Sequence, residues 1–224
     1  MIRFKIKNIV FSSSCAVYGE SKSKIIDEEH PTNPTNPYGQ SKLMSEKIIE
    51  WFHDTLEINY VILRYFNVCG TSIDNQFGDS KKPSVHLIQN AIRGALGIEP
   101  FFLTCSKVAT NDGTPIRDYI DVVDINYAHL NALKLLLSGN GNNTINLGTG
   151  KGNSVLEILK TVEKVMGAKF TLNFTNIRRG EYGRMIASNK KAKKILNWRP
   201  TRSIEDSVAS LVKWYKIRPQ GWES

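Results

Sequence analysis

Short apolar runs alternate along this chain with stretches in which apolar residues recur every three or four positions, a pattern of strands exchanging with helices. Residues 7–12 (KNIVFS) form an apolar run that ends in small polar residues, as a buried parallel strand opening into a loop would. A turn-rich segment, 31–37, follows, and Pro37 suits the first turn of a helix reaching about residue 55. Residues 58–64 (INYVILR) read as the next strand, and helical periodicity runs over 84–96 with Gly97 as its stop. Residues 116–122 look extended, and Asp124 then caps an apolar-rich helix to residue 137. After a strand at 144–147 (TINL) comes a glycine-rich turn, 148–153. The pattern Ser154-Val-Leu-Glu157 is a capping box for a helix to residue 166. A strand is expected at 170–174. A last helix over residues 203 to about 216 places Ile204, Val208, Leu211, Val212 and Tyr215 on one buried face.

Successive strand and helix units of this kind imply an α/β fold with a mostly parallel sheet and crossover connections, although only about three strong strands precede the looser second half. Composition agrees. Hydrophobic residues at 41% and charged residues at 23% of 224 are near globular averages, which excludes disordered, collagen-like and disulfide-scaffold proteins. No apolar run approaches the roughly 18 to 20 residues that cross a bilayer, and the opening residues alternate charge with apolar side chains where a signal peptide needs an unbroken apolar core. A soluble, cytoplasmic protein is the expectation. Cys15, Cys69 and Cys105 are odd in number, with no nearby His at metal-ligand spacing, which fits reduced thiols and no metal site.

The net charge of +9 raises a nucleic-acid partner, because Arg178, Arg179, Arg184, Lys190, Lys191, Lys193, Lys194, Arg199 and Arg202 crowd one stretch. Lys outnumbers Arg 20 to 10 and Asn reaches 19, a pattern an AT-rich coding sequence produces with no polyanion to bind. A solvated face, with one or two Arg serving a phosphate, is the expected reading, and no nucleic-acid or membrane partner is expected.

The strongest local chemistry is Tyr38-Gly-Gln-Ser-Lys42. A Tyr and a Lys four apart share one helix face, and an ammonium near a phenol favours the phenolate, which makes Tyr38 a candidate general base. An exposed packing pair is the bland alternative. The strand before it delivers Ser12, Ser13 and Ser14 to its C-terminal edge, where ligands of open α/β sheets bind. A hydroxyl from that edge and the Tyr/Lys pair would converge on one substrate oxygen.

Taken in order, Phe11-Ser-Ser-Ser-Cys-Ala-Val-Tyr-Gly19, Pro37-Tyr-Gly-Gln-Ser-Lys42, Leu63-Arg-Tyr-Phe-Asn67, Asp112-Gly-Thr-Pro-Ile-Arg-Asp-Tyr-Ile120, Asn146-Leu-Gly-Thr-Gly150, Leu196-Asn-Trp-Arg-Pro200 and Pro219-Gln-Gly-Trp222 resemble the extended short-chain dehydrogenase/reductases, and within them the UDP-glucose 4-epimerase family. The resemblance spans nearly the whole sequence. It implies the C-terminal part of a doubly wound Rossmann-like sheet plus a small α+β substrate domain. Residues 1–67 would form the partial Rossmann domain, with 116–150 returning to its sheet, and 68–224 the sugar-nucleotide domain. Ser14, Tyr38 and Lys42 map to the catalytic positions, with Tyr38 and Lys42 also facing the cofactor. Asn67, His86, Leu87, Arg117, Arg178 and Glu181 map to contacts with the UDP-sugar, where Arg offers forked donors to a diphosphate. The activity implied is NAD-dependent 4-epimerisation of UDP-glucose and UDP-galactose. Tyr38 would take the O4 proton while C4 gives hydride to NAD, and hydride would return to the other face of the turned keto sugar. In this family the helix bearing Tyr38 forms part of a dimer contact, so a homodimer is implied too.

The sequence departs from that pattern in one large respect. The family opens with a strand, a glycine-rich turn and a helix for the NAD pyrophosphate, followed by an acid for the ribose, whereas here the strand bearing Ser14 comes almost at once. Roughly 100 residues of the dinucleotide half are therefore expected to be missing, and turnover to be impaired. The turn Gly148-Thr-Gly-Lys-Gly152 does not replace it, because Asn153 stands at the third glycine and no acid ends the next strand. Smaller departures are Thr104-Cys-Ser-Lys-Val-Ala109 where an aromatic is usual in the uridine pocket, Gln89 for Pro, Asp121 for His and Glu181 for Asp. Cys15 reads as a small filler beside the site. The alternatives are an inactive remnant or UDP-sugar-binding protein and, disfavoured by Cys15 and Ala16 where an acid pair is needed, a sugar-nucleotide 4,6-dehydratase. A preference for N-acetylated sugars stays open.

Overall fold

A computed structural model describes residues 1–21, 23–105, 107–167, 169, 173–174 and 182–222. The chain forms two compact units, one of Met1–Phe66, Asp124–Lys151 and Met185–Pro200, the other of Asn67–Val123, Gly152–Arg184 and Thr201–Ser224.

The first unit is built on three parallel strands, β1 (Asn8–Ser14), β2 (Asn59–Tyr65) and β7 (Asn143–Leu147), in the order β1-β2-β7. Ser12 is opposite Leu63 and Ser14 opposite Tyr65. Val61, Ile62, Leu63, Ile145 and Leu147 are completely buried, as expected of parallel strands covered on both faces. Helix α1 (Pro37–Leu56) has Pro37 in its first turn, and Asn36 Oδ1 accepts from the Gly39 amide at 2.8 Å. Helix α3 (Val122–Leu137) contributes Asp124 onward to this unit, and α5 (Lys190–Ile195) completes it.

Two of these elements differ from the sequence expectation. Helix α3 starts two residues before Asp124, because the Asp121 carboxylate already caps it by accepting from the Val123 amide at 2.8 Å. Asp124 is left in the first turn, where its charge still suits the positive helix end. Helix α5 was not anticipated. It resolves much of the basic stretch, since Lys190, Lys193 and Lys194 face solvent while Ala192, Leu196 and Trp198 are buried and Trp198 Nε1 donates to the Asp124 carbonyl at 2.8 Å.

The second unit holds β3 (Asn67–Cys69), α2 (Leu87–Ala95), β4 (Phe102–Leu103), β5 (Ile116–Arg117), β6 (Tyr119–Asp121), β8 (Asn153–Ser154), α4 (Val155–Met166), β9 (Asn173–Phe174), β10 (Arg184–Met185) and α6 (Ile204–Ile217). β3 pairs with β6 and β4 with β9 in parallel, and β5 pairs with β8 antiparallel. The expected strand over 116–122 is thus two strands broken at Asp118, whose carbonyl takes the Asn67 amide at 2.9 Å. Of the strand expected at 170–174, residues 173–174 are extended and the remainder lies outside the described residues. Helix α2 is shorter than its periodicity suggested, beginning after His86. Ile88, Ile92, Ile158, Val162, Val208, Leu211 and Trp214 from α2, α4 and α6 make one apolar cluster. Both later helices open with complete capping boxes, Ser154 with Glu157 and Ser203 with Asp206.

Asp121 ends β6 as a buried carboxylate. It meets Arg202 Nε at 3.0 Å and accepts from Ser207 Oγ at 2.6 Å, in addition to capping α3. A hydrogen-bonded partner for each side of that carboxylate accounts for a charge at this buried position. No helix among the described residues is long and apolar enough to cross a membrane.

Candidate functional site

In the first unit, β1 carries Ser12, Ser13 and Ser14 to the C-terminal edge of the parallel sheet, and alternation sends neighbouring side chains opposite ways. Ser13 is buried and donates to Glu46 Oε1 on α1. Ser14 closes the strand, its Oγ accepting from the Ala16 amide at 3.2 Å as the chain enters the tight turn Cys15–Val17. That turn presses directly on the start of α1. A Cβ at Gly39 would collide with the Ala16 carbonyl, so glycine after Tyr38 lets the Ser14 turn and the Tyr38 helix end approach this closely. Cys15 is half-buried in the turn, as a filler would be.

Tyr38 is 55% exposed at the head of α1. One turn further, Lys42 Nζ donates to the Ser12 carbonyl at 2.9 Å and is 5.8 Å from the centre of the Tyr38 ring and 5.2 Å from that of Phe11. The ammonium is therefore pinned by backbone beside the phenol, while the phenol faces solvent. Ser14, Tyr38 and Lys42 are gathered at one edge, Ser14 held by the turn that follows it and Lys42 by the Ser12 carbonyl.

Behind this edge runs a buried polar chain that the sequence reading missed. Arg64 of β2 grips Glu46 of α1 through two bonds, Nε to Oε1 at 3.0 Å and Nη2 to Oε2 at 2.6 Å. Its Nη1 donates to Tyr18 Oη at 2.9 Å, and Tyr18 Oη donates to Asn146 Oδ1 of β7 at 2.7 Å. Burial pushes the Tyr18 phenol up to about 12 against the lowering influence of Arg64. Burial also opposes the Arg64 charge, but the bonds to Glu46 and Tyr18 outweigh it and raise that group further. The signals in the sequence were an arginine inside the apolar run of β2 and a glutamate on the Tyr38/Lys42 face of α1.

In the second unit, Asn67 opens β3 and His86 is the exposed residue preceding α2, with Leu87 packed against the apolar cluster. Arg117 is in β5, its Nη1 on the carbonyls of Ile116 and Tyr182 at 3.0 and 2.9 Å. Gln89 is buried within α2, and Cys105 packs against the same apolar cluster. Arg178 and Glu181 lie outside the described residues.

A sequence profile of the NAD dependent epimerase/dehydratase family matches residues 1–148. The chain belongs to this family. Among its relatives, the UDP-glucose 4-epimerase of Lactobacillus helveticus is 40% identical over 220 residues, covering 97% of this chain and 67% of the relative. The UDP-glucose 4-epimerase of Bifidobacterium longum, solved in complex with NAD+ and UDP, superposes with a TM-score of 0.93 at 35% identity, covering 99% of this chain and 67% of that one. The UDP-Glc/GlcNAc 4-epimerase of Campylobacter jejuni superposes at 0.78 and 35% identity, covering 96% and 66%. The chain thus spans about two thirds of the length of the relatives it matches, and its α/β architecture is their Rossmann-like fold.

The family's NAD fits these residues at one end only. An exposed Tyr38 beside a pinned Lys42 suits the nicotinamide ribose. The turn at Gly148–Gly152 does not suit a pyrophosphate. Asn189 Nδ2 bonds the Gly148 and Thr149 carbonyls at 3.4 and 3.0 Å, the chain leads into β8, and the α4 N-terminus beyond is closed by its own capping box. No cradle of glycines at an open helix end is present among the described residues.

Proposed function

We propose that this chain carries the acid–base group and the nucleotide-sugar seat of a UDP-hexose 4-epimerase. The observation that supports this most directly is the gathering of Ser14, Tyr38 and Lys42 at the sheet edge, with Lys42 Nζ fixed on the Ser12 carbonyl beside an exposed phenol. In this reading Tyr38 removes the proton from the sugar O4 and later returns it, and Ser14 Oγ steadies that oxygen. Lys42 holds a positive charge beside the phenol while Tyr38 acts as the general base. NAD, when bound, supplies the hydride acceptor. The first unit is then the cofactor-facing domain and the second the sugar-nucleotide domain, with Asn67, His86, Leu87, Arg117, Arg178 and Glu181 as its contacts. Arg117 and Arg178 offer permanent charge to the diphosphate. Epimerisation needs a firm grip on UDP and a loose one on the hexose.

The ill-fitting Gly148 turn supports a second reading, in which the 224 residues bind a UDP-sugar but do not turn it over until a pyrophosphate cradle is supplied from outside them. The two are separated by purifying the chain, measuring co-purified NAD by mass spectrometry, and assaying UDP-glucose and UDP-N-acetylglucosamine with added NAD. Turnover that falls by ~10²–10⁴ in Tyr38→Phe supports the epimerase reading. UDP binding without NAD or turnover supports the second. UDP affinity by calorimetry that is unchanged after Arg117→Ala and Arg178→Ala refutes the proposed seat. Met44, Ile48 and Trp51 make an exposed apolar stripe on α1 that suits a contact between two copies, and light scattering of Trp51→Glu against the parent tests it.

A further inference from the structure

A second chain of hydrogen bonds ends on the same residue that holds Lys42. His129 on α3 has Nδ1 2.9 Å from the Ile125 carbonyl, which can only accept, so Nδ1 carries a proton and Nε2 is turned to Tyr65. Tyr65 Oη is 2.7 Å from Nε2, within hydrogen-bond reach. Ser12 Oγ accepts from Tyr65 Oη at 2.6 Å and is 3.4 Å from His129 Nε2. On its backbone side, Ser12 gives its carbonyl to Lys42 Nζ. Ser12 is thus gripped through its side chain by α3 and β2 while its carbonyl holds the ammonium on α1.

Ser12 stands opposite Leu63 in the β1-β2 ladder, and its carbonyl is the one that Lys42 takes. Tyr65 also lies close enough to Tyr38 for the two phenols to interact electrostatically; burial pushes the Tyr65 hydroxyl up, the Ser12 bond lowers it and Tyr38 raises it.

We propose that His129 and Tyr65 are positioning residues for Lys42: by holding Ser12 they fix the carbonyl that keeps the ammonium beside Tyr38. The role of Lys42 itself rests on the epimerase reading; the clamp rests on the geometry of His129, Tyr65 and Ser12. Trace acetylation of the intact chain, read lysine by lysine in a mass spectrometer, tests it. Tyr65→Phe, Ser12→Ala and His129→Phe should each raise labelling of Lys42 roughly fivefold, the factor of one net hydrogen bond, with Lys213 and Lys216 unchanged. His129→Gln, which keeps a hydrogen-bonding partner for the phenol, should restore the parent rate. If His129→Phe fails to fold, Tyr65→Phe and Ser12→Ala decide, since each removes one oxygen. Unchanged Lys42 labelling in both overturns the proposal, as does a nitrogen-15 spectrum placing the His129 proton on Nε2. These readouts need no turnover: an inactive chain with a responsive Lys42 upholds the clamp and counts against the reaction, and an active chain with an unresponsive Lys42 overturns the clamp alone.

Discussion

The two units solve the problem of joining helices to strands with opposite chemistry. In the first, α1, β2, β7 and the loop bearing Tyr18 meet through Glu46, Arg64, Asn146 and the phenol, a run of directional bonds with a buried ion pair at its centre. In the second, α2, α4 and α6 meet through Ile88, Ile92, Ile158, Val208, Leu211 and their neighbours, contacts with little directional demand. A buried ion pair adds little net stability over an apolar filling, but its bonds are satisfied in one arrangement only. The difference teaches that the unit bearing Ser14, Tyr38 and Lys42 is built for registration and the other for coverage.

The sharpest way to break this comparison is to remove one half of the pair. Arg64→Leu should cost about 3–5 kcal/mol in urea unfolding, because Glu46 is left buried without its partner. The double change Arg64→Leu/Glu46→Leu should recover most of that loss while hydrogen exchange in β1 and α1 stays faster than in the parent. A single-variant loss under ~1 kcal/mol would erase the distinction between the units. In the apolar cluster, Ile92→Ala should cost about 2–5 kcal/mol and Ile92→Val about 0.5–1.5, a graded response to volume that the ion pair lacks.

Alkaline titration sharpens the contrast further. The unfolded chain releases the Tyr18 proton near pH 10, whereas the folded chain holds it to about 12. This contribution is therefore whole below pH 10 and is lost as pH rises to about 12, about 2–3 kcal/mol in all. Unfolding curves in urea at stepped pH measure it, and a Tyr18→Phe chain should show a shallower decline. The smallest effect is at a cap: Ser203→Ala should cost about 1 kcal/mol in thermal unfolding, with exchange rising in the first turn of α6.

Much of this architecture was legible in the sequence. Apolar runs located β1, β2 and β7, the Ser154 box located α4, and the apolar face of Ile204, Val208, Leu211, Val212 and Tyr215 located α6, because those signals are local. The Tyr38/Lys42 spacing likewise announced a shared helix face. What stayed hidden depends on partners far away in the chain. Ser13 and Arg64 acquire their roles only once Glu46 stands between them, Tyr65 and His129 are 64 positions apart, and Asp121 as a helix cap was obscured by the equally plausible Asp124. The seat of Arg117 on the Tyr182 carbonyl is of the same kind.

Asp121 also sets a rule for substitution. Gly70 adopts φ +85, a conformation side chains rarely take, and any Cβ there would run into the Asp121 carboxylate. That carboxylate cannot retreat, because Arg202, Ser207 and the amide of Val123 hold it. Positions 70, 121, 202 and 207 therefore form one heritable unit. A lineage or an engineer that replaces Asp121 gives up the α3 cap and the Ser207 bond in the same step, and the path through one change at a time is closed at Gly70 as long as Asp121 remains.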